Sequence, residues 1–350
     1  MNFSIIAKSK LPIDFINELN HDFTERNVDK ILTGMSEERY TTFRVNYLKS
    51  NENEVEDELL KNGVEFDKVS ITDTECETDY ETYFNFNAYV VYNKNEKDLS
   101  KLKIYEDGKI YVQSISSMIP PIILRPEPGE RVLDMAAAPG SKTTQMATMM
   151  NNEGYILANE IDKFRCEKLK YNAEKQGTSI VHIINNDGTQ LFNSAKSFDK
   201  ILVDAPCTGE GRFIVSNKKT YEHWSLKMQK ELVEIQKKLL SNAINLCKTN
   251  GTILYSTCAL SLAENERVID WALKNFNIDI EKIYLNINIS SFILKGNKKG
   301  LSDEVKNTIK ILPNKFLEGF YVTKIKKLRI ITAKNKKATD KMISVAWRIK

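Results

Sequence analysis

Two cysteines stand where two apolar segments of the sequence end. Cys207 lies in DAPCTGEG directly after ILV, and Cys258 lies in YSTCALSLAENE directly after TIL. Apolar, β-branched runs of this length predict strands, so both thiols are expected just past strand ends. A single cysteine in such a place is more often a small buried residue than a nucleophile. A pair, one beside the acid Asp204 and one beside the hydroxyl of Thr257, favours nucleophilic chemistry.

The other three cysteines are not expected to react. Cys166 and Cys247 fall in segments predicted as helices and are interpreted as core residues, and Cys76 lies in an acidic stretch over residues 73–83. Five cysteines without metal-ligand spacing and three scattered histidines do not indicate a metal site. We therefore expect no metal and a reduced, cytoplasmic protein.

The segment RVLDMAAAPGSKTTQMA predicts a strand, a tight turn and a helix. Such a turn presents free backbone N–H groups to a ligand, and small side chains let the ligand approach. It has only one glycine, Gly140, so it is not a dinucleotide fingerprint. It is not a phosphate loop either, because Ser141 separates that glycine from Lys142. S-adenosylmethionine, which carries no phosphate, suits this turn.

A second apolar run supports that interpretation. Residues 155–159 end in Glu160, which lies 26 residues after Asp134. This is close to the spacing of an acid that binds a ribose in a strand-helix-strand unit. The alternative is that Glu160 only caps the helix that follows.

A thiolate beside a methyl donor has one well-defined use. Carbon 5 of cytosine is too weak a nucleophile to take a methyl group directly. A thiolate that adds to carbon 6 turns the ring into an enamine whose carbon 5 can attack the methyl group. An acid that hydrogen-bonds or protonates ring nitrogen 3 stabilises the adduct, and Asp204 is placed for that role. Methylation of an exocyclic amine would favour an Asp/Asn-Pro-Pro-aromatic corner, which DAPC is not.

Regular elements must position these groups. From about Gly108 onward, apolar runs alternate with helical patterns, which predicts a mostly parallel sheet covered by helices on both faces. Before that point, residues 12–34 predict one helix ended by Gly34, and further strand patterns predict a small α+β domain, either a scaffold or an RNA-holding unit. The expected fold is α/β, a Rossmann-like methyltransferase sheet plus this N-terminal domain. The expected boundaries are 1–105 for the N-terminal domain, 106–328 for the catalytic domain and 329–350 for a short basic C-terminal segment.

Composition describes an ordinary globular protein of about two domains, with 41% hydrophobic and 28% charged residues. The sequence has no apolar run of about 18 residues and no signal peptide, so no membrane span is expected. The net charge of +4 hides an asymmetry, because from Lys282 onward there are 17 basic and 4 acidic residues. Such a region would attract a polyanion such as RNA. The alternative is a Lys/Asn-rich compositional bias.

The motifs resemble those of the Sun-type RNA cytosine-5 methyltransferases, and most of all the RsmF-like bacterial rRNA enzymes. The resemblance covers roughly residues 39–327. It rests on TTFRVNYLK, QSISSMIP, VLDMAAAPGSKTTQMA, NEID, DAPCTGEGRF, YSTCALSLAENE and ILPNKFLEGFYVTKIKK. The most specific signal is DAPCTGEG followed by STC. RsmF-like enzymes often continue into further RNA-binding modules, whereas here little sequence follows, so a tRNA substrate stays open beside ribosomal RNA.

The resemblance implies roles for individual residues. It makes Cys258 the nucleophile and Cys207 the residue that assists product release. The residues alone leave this order open, because DNA cytosine methyltransferases use the Pro-Cys cysteine. It also places Asp204 at the active site, and Lys142 either at the active site or against a phosphate only. The implied residues for S-adenosylmethionine are Ala136, Ala137, Ala138, Pro139, Gly140, Ser141, Lys142, Glu160, Arg165, Asp187 and Asp204. For Asp187, the alternative is a turn acid before Gly188.

The sequence therefore predicts a monomeric enzyme that forms 5-methylcytidine in structured RNA, small-subunit ribosomal RNA or tRNA. The target base has to leave its stack to reach the pocket. One alternative is a non-catalytic RNA-binding assembly factor, which the paired thiols beside Asp204 disfavour. The other is an enzyme that acts on cytosine in DNA.

Overall fold

The structure is a computed structural model that describes residues 3–74, 84–191, 198–289, 291–297 and 299–329. The helices are α1 (Phe3–Lys10), α2 (Ile13–Asp22), α3 (Glu25–Ser36), α4 (Glu52–Lys61), α5 (Glu96–Leu99), α6 (Lys103–Glu106), α7 (Ile115–Leu124), α8 (Ser141–Met149), α9 (Lys163–Gln176), α10 (Leu226–Leu246) and α11 (Glu266–Asn275). The strands are β1 (Thr41–Val45), β2 (Phe66–Thr74), β3 (Phe84–Val91), β4 (Ile110–Val112), β5 (Arg131–Asp134), β6 (Tyr155–Asn159), β7 (Val181–Ile184), β8 (Phe198–Asp204), β9 (Cys247–Thr257), β10 (Ile278–Glu281), β11 (Tyr284–Ile287), β12 (Ile293–Lys295), β13 (Ile309–Ile311) and β14 (Phe320–Lys327).

The prediction of one helix over residues 12–34 is wrong. The chain forms two helices there, α2 and α3, and Gly34 lies inside α3 instead of ending it. The reason for a glycine is a close backbone approach. A Cβ at Gly34 would lie 1.9 Å from the carbonyl oxygen of Pro313. A glycine required by tertiary packing looks the same in the sequence as a glycine that ends a helix.

The N-terminal helices pack on loops of the catalytic half of the chain. Phe15 of α2 lies 5.1 Å from Phe213 and 5.6 Å from Trp224, measured between ring centroids. Leu260 belongs to the same buried cluster. These three partners follow β8 and β9, so α1–α3 brace the loops that come after the two cysteine-bearing strands.

The smaller sheet is antiparallel, with strand order β11-β2-β3-β1-β4. Its edge strands come from residues 110–112 and 284–287, which lie beyond the first 105 residues. The predicted boundary at residue 105 therefore does not coincide with the division between the two sheets. Residues 75–83, which include Cys76, and residues 330–350 of the basic segment lie outside the described part of the chain.

The larger sheet has nine strands and confirms the expected methyltransferase-like α/β architecture. Its order is β12-β13-β14-β9-β8-β5-β6-β7, with β10 paired to β14. The five strands β9, β8, β5, β6 and β7 are parallel to one another. The pairings of β14 with β9, β13 and β10, and of β12 with β13, are antiparallel and extend the sheet in a way that the sequence patterns did not predict.

Successive side chains of the parallel strands enter two cores, one on each face of the sheet. Val132, Leu202 and Leu254 join a cluster with residues of α7 and α8. Leu133 and Ile253 join a second cluster with residues of α10 and α11. Helices on both faces thus bury the sheet and hold its carboxyl edge in place.

Helix α7 was not predicted, because its sequence ISSMIPPIIL contains two prolines. Nine of its ten residues are buried, and the Ser114 side chain accepts a hydrogen bond from the Ser117 N–H at its start. It shares one core with side chains of both sheets. Burial on all sides compensates for the poor helix propensity of proline.

Candidate active site

The turn between β5 and α8 opens a cavity at the carboxyl edge of the parallel strands. The Ala137 N–H donates to the Asn159 carbonyl over 2.8 Å, and Gly140 has a φ of 107°, which favours glycine. The cavity volume is about 420 Å³, in the range of small-molecule sites. The predicted residues that line it are Ala136, Ala137, Ala138, Pro139, Ser141, Lys142, Arg165 and Asp204.

Glu160, one of the predicted cofactor residues outside this lining, is buried under the turn. Its Oε2 accepts a hydrogen bond of 3.3 Å from the Ala138 N–H and lies 3.5 Å from Nη1 of Arg165. The Arg165 Nη2 donates to the Ala138 carbonyl over 2.7 Å. Both side chains therefore fix the small-residue turn. Gly140 also lies outside the lining and packs on α9, where an added Cβ would be 3.0 Å from Leu169.

Asp187 lies beside a separate cavity of about 390 Å³. Its Oδ1 accepts hydrogen bonds from Thr189, 2.8 Å from the backbone N–H and 2.7 Å from the hydroxyl, and these lower the pKa of Asp187. Its Oδ2 accepts from Gln190. The side chain thus makes the contacts of a turn acid, and its contact with a cofactor stays a prediction.

Asp134 was not among the predicted site residues, but its environment points to a ligand. The carboxyl is buried at the end of β5, and Oδ2 accepts a 2.7 Å hydrogen bond from Thr143. Oδ1 has no hydrogen-bond partner among the described residues. Burial, with the nearby charge of Asp204, raises the pKa of Asp134 to about 7. A buried acceptor without a partner is unfavourable, so this edge of the cavity fits a ligand with an amino group.

A lysine–aspartate pair, Lys142 and Asp204, lines the same cavity. The Lys142 Nζ lies 2.7 Å from Asp204 Oδ2 and donates to the Ser117 hydroxyl over 2.8 Å. The Ser256 hydroxyl donates to Asp204 Oδ1 over 2.8 Å. Both carboxylate oxygens are therefore held, and the half-buried carboxyl faces the cavity. Neither serine was predicted, although Ser117 lies within the quoted motif QSISSMIP.

The two thiols meet. Cys207 Sγ and Cys258 Sγ are 3.1 Å apart, and both residues are half-buried. The Gly211 N–H donates to the Cys258 carbonyl over 2.8 Å. The hydrogen bond to Cys258, followed by burial, raises the pKa of Cys207 well above its usual value. Cys207 therefore keeps its proton at neutral pH, and the 3.1 Å contact allows either thiol to donate to the other.

A cation stands beside this pair. The Arg212 Nε lies 3.5 Å from Glu318 Oε2, and both residues line the main cavity. The charge of Glu318 and, next, that of Cys258 raise the pKa of Arg212. The Arg39 guanidinium donates to the carbonyls of residues 211, 212 and 213 and so supports this loop. Arg212 therefore places a positive charge near both sulfurs of the pair.

Two buried glutamates tie the cysteine loops to each other. Glu210, three residues after Cys207, accepts from the backbone N–H groups of Leu260 (2.9 Å) and Ser261 (2.8 Å) in the Cys258 loop. Glu264, six residues after Cys258, accepts from the Thr208 N–H (3.0 Å) in the Cys207 loop. Each loop therefore holds the backbone of the other. The sequence signal was an acid beside each cysteine, in TGEG and in AENE, but it did not show which backbone the acid reaches.

Glu210 and Glu264 differ in their hydrogen-bond donors and in their protonation at neutral pH. Glu210 accepts from three N–H donors, the two backbone groups and the Trp224 Nε1 at 2.9 Å. Burial and the charge of Glu210 raise the pKa of Glu264 to about 8. Its Oε2 lies 2.5 Å from the Thr208 hydroxyl. At neutral pH Glu264 therefore keeps a proton, while its Oε2 accepts a hydrogen bond from the Thr208 hydroxyl.

Glu264→Gln is expected to be mild and Glu210→Gln severe. Glutamine reproduces the donor and acceptor of a protonated Glu264, whereas at position 210 its amide points N–H at other N–H donors. We expect Glu210→Gln to lower the free energy of unfolding by about 2 kcal/mol and to reduce turnover. Thermal unfolding and methyl-transfer rates of both variants at pH 7 check this. If Glu264→Gln and Glu210→Gln lower stability and turnover equally, this would contradict the conclusion that Glu264 is protonated at neutral pH.

The raised pKa of Glu264 also makes the stability of the folded protein depend on pH. The carboxyl of Glu264 titrates near 4.5 in the unfolded chain and near 8 in the folded one, so between these values the folded state holds a proton that the unfolded state has lost. Glu264 therefore makes the stability of the wild type fall as pH rises through this window. Glu264→Gln should lack this decline.

The other cysteines have structural positions. Cys166 is buried in α9 as predicted, but Cys247 is buried at the start of β9 and not in a helix. No group of three or more potential metal ligands occurs among the described residues. Within the described ranges, no helix combines the length and hydrophobicity that a membrane span needs.

Comparison with known proteins finds a matching methyltransferase family and similar RNA methyltransferases. The family described as 16S rRNA methyltransferase RsmB/F matches residues 121–326. The tRNA (cytosine(49)-C(5))-methyltransferase of Pyrococcus abyssi is 37% identical over 289 residues, which are 82% of this chain and 88% of the relative. Ribosomal RNA small subunit methyltransferase F of Escherichia coli is 35% identical over 246 residues, 69% of this chain. The chain spans about half the length of this second relative, since the match covers 50% of it.

Solved structures show the same fold. A methyltransferase homologue from Pyrococcus horikoshii superposes with a TM-score of 0.75 at 29% identity and covers 93% of this chain and 98% of its own. NSun6 from the same organism, solved with SFG, an analogue of S-adenosylmethionine, has a TM-score of 0.71 at 21% identity. That match covers 92% of this chain and all of the other.

Proposed function

Since the chain belongs to the RsmB/F family of 16S rRNA methyltransferases and is an S-adenosylmethionine-dependent RNA cytosine-5 methyltransferase, we propose that it works through a covalent bond between Cys258 and the target ring. The bond would join the Cys258 sulfur to carbon 6 of cytosine. The observation that carries this proposal is the 3.1 Å contact of the two thiols, on loops that follow neighbouring parallel strands. Asp204 and Lys142 lie at the end of one of those strands and on the helix beside it.

The arrangement of charges supports Cys258 as the nucleophile. Cys207 has a raised pKa and can donate its proton to the Cys258 sulfur. The negative charge of Cys258 raises the pKa of Arg212, so the Arg212 cation lies near the Cys258 sulfur. The charge of Cys207 also raises the pKa of Arg212, but by less than the charge of Cys258 does. We propose that Cys258 attacks and that Cys207, whose pKa is raised, retains its proton.

We propose that Asp204 acts on the ring and that Lys142 positions it. When sulfur adds to carbon 6, negative charge appears on the ring; Asp204 would take a proton from the Lys142 ammonium 2.7 Å away and pass it to ring nitrogen 3, which stabilises that charge. The 2.7 Å contact from Lys142 and the hydroxyl of Ser256 fix the direction in which this carboxyl points. Lys142 is in turn held by Ser117.

The residues around the Ala-rich turn fit the cofactor. When bound, S-adenosylmethionine supplies an electrophilic methyl group. Ala136, Ala137, Ala138, Pro139 and Ser141 would hold it against backbone at the cavity floor, and Asp134 offers its free oxygen to the amino group. Glu160, Arg165 and Asp187 remain proposed contacts for the nucleoside part.

Cys207→Ala is expected to trap the enzyme on its RNA. After methylation, water takes the carbon 5 proton, the electron pair of that C–H bond forms the double bond between carbons 5 and 6, and the bond between carbon 6 and sulfur breaks, so that sulfur leaves with its electron pair. Cys207 lies 3.1 Å from the sulfur that departs and can protonate it. Without that thiol, release slows and a denaturant-resistant protein–RNA band should accumulate on a gel. If the band forms with Cys258→Ala and not with Cys207→Ala, the two roles are reversed.

Two RNA substrates are supported by different relatives. The description of the matched family names 16S rRNA, which supports a cytidine of small-subunit rRNA as the target. The near full-length match to a tRNA (cytosine(49)-C(5))-methyltransferase supports tRNA. Total RNA from a deletion strain, treated with the enzyme and labelled S-adenosylmethionine and then mapped by bisulfite sequencing, identifies the site. Label on matched DNA, or no label on any RNA, would overturn the proposed substrate class.

A further inference from the structure

One helix beside the cavity exposes an unusual amount of aromatic surface. Phe164 and Tyr171 of α9 are 70% and 62% exposed, and Ile161, just before the helix, is 65% exposed. The remaining large apolar side chains that are exposed in the described residues are spread over several elements. Three such residues within one short segment form a patch that packing among the described residues does not explain.

The patch has the spacing of a helical stripe. Phe164, Lys168, Tyr171 and Lys175 lie at positions i, i+4, i+7 and i+11, which share one face. The opposite face is buried through Cys166, Leu169, Ala173 and Gln176. The Lys168 Nζ lies 4.7 Å from the centroid of the Phe164 ring. We call these four residues the α9 stripe.

The α9 stripe continues into the cavity. Lys175, its last member, lines the cavity together with Tyr105 and Tyr111, and its Nζ lies 3.6 Å from the Tyr105 ring centroid. Asn172, on the neighbouring face of α9, donates to the Pro139 carbonyl over 2.7 Å. The helix is therefore fastened to the cofactor turn, and the stripe leads from its outer surface to the cavity.

The charge of α9 indicates the class of ligand. The helix carries five basic residues and two acidic ones, of which Glu167 is paired with Lys170 at 2.8 Å. Exposed rings beside cations suit a partner that has flat bases and a polyanionic backbone. A protein partner that covers apolar side chains would not need this excess of lysine.

We propose that the α9 stripe binds the single-stranded RNA segment that flanks the target cytidine. Bases stack on Phe164 and Tyr171, and Lys168 and Lys175 pair with phosphates. This inference rests on the proposed function, because it names the surface along which the substrate reaches the same cavity.

Stacking is tested with Phe164 variants. The probe is a fluorescein-labelled, mixed-sequence single-stranded RNA of about 12 nucleotides, a length suited to sites of this kind. Phe164→Ala should weaken binding about tenfold, whereas Phe164→Tyr should bind as the wild type does. The matched control is Ile13→Ala on α2, because Ile13 is 67% exposed and should be neutral. If Phe164→Leu also binds as the wild type does, the contact is apolar and the stacking proposal is overturned.

The phosphate contact is tested through salt dependence. Lys168→Ala should reduce the slope of log affinity against log salt by about one, and Lys227→Ala on α10 should leave it unchanged. Binding of S-adenosylmethionine should be unaffected in every variant. These readouts need no methyl transfer, so they separate this inference from the proposed function. If the two stripe variants bind the probe like wild type, the inference fails even in an enzyme that methylates RNA.

Discussion

Replacing Cys258 by alanine is expected to abolish methyl transfer, with a fall in kcat of about 10⁴-fold or more. Without the sulfur, carbon 5 of cytosine stays a poor nucleophile, and among the described thiols it is Cys207 that lies next to Cys258, with 3.1 Å between the two sulfurs. The pKa of Cys207 is raised well above its usual value, and we assign it the role of proton donor, so it should not replace the missing nucleophile. Transfer of labelled methyl groups to RNA, measured at saturating substrate, checks this.

Cys247→Ala is the matched control for Cys258→Ala. Both cysteines belong to the region of β9, one buried at its start and one just after its end. The control removes a buried thiol far from the catalytic loops, so it should cost stability and keep kcat. Residual turnover of Cys258→Ala within about tenfold of wild type would rule out Cys258 as the nucleophile.

Asp204→Asn is expected to reduce kcat about 10²- to 10⁴-fold while RNA binding changes little. Asparagine keeps the shape of the side chain and can still accept from Ser256, but it cannot transfer a proton to ring nitrogen 3. Lys142 also loses its 2.7 Å ionic partner. Single-turnover rates, together with the amount of covalent adduct in a Cys207→Ala background, locate the loss. Less adduct means that Asp204 acts in the addition step.

Asp199→Asn provides the control for Asp204→Asn. Asp199 lies at the opposite end of β8, where it accepts from the Arg131 N–H (3.0 Å) and pairs with Lys248 (2.6 Å). Its loss should reduce stability by about 1 kcal/mol and spare catalysis. Equal effects of the two substitutions on kcat would mean that the aspartate at position 204 is structural.

Much of the site could be predicted from the sequence because its signals are local. A strand, a turn of small residues and a helix follow one another directly in the sequence of residues 131–147. The cofactor turn could therefore be predicted from this contiguous segment alone. Cys207 and Cys258 were identifiable for the same reason, since each directly follows an apolar, β-branched run. Because parallel strands open at one edge, the meeting of these elements follows from the fold class.

Tertiary structure alone decided the contacts that span long distances in sequence. Glu210 and Glu264 reach backbone N–H groups about 50 residues away, and no local pattern specifies such partners. The prolines of α7 and the glycine at position 34 were misleading, because burial between two sheets and a close backbone approach overrode their local preferences. The sequence by itself therefore predicted which groups react and which turn binds the cofactor, and it determined the fold class that brings them to one sheet edge. The folded chain decided how the two thiols are held at 3.1 Å, because that distance depends on side chains that meet only after the sheets have packed.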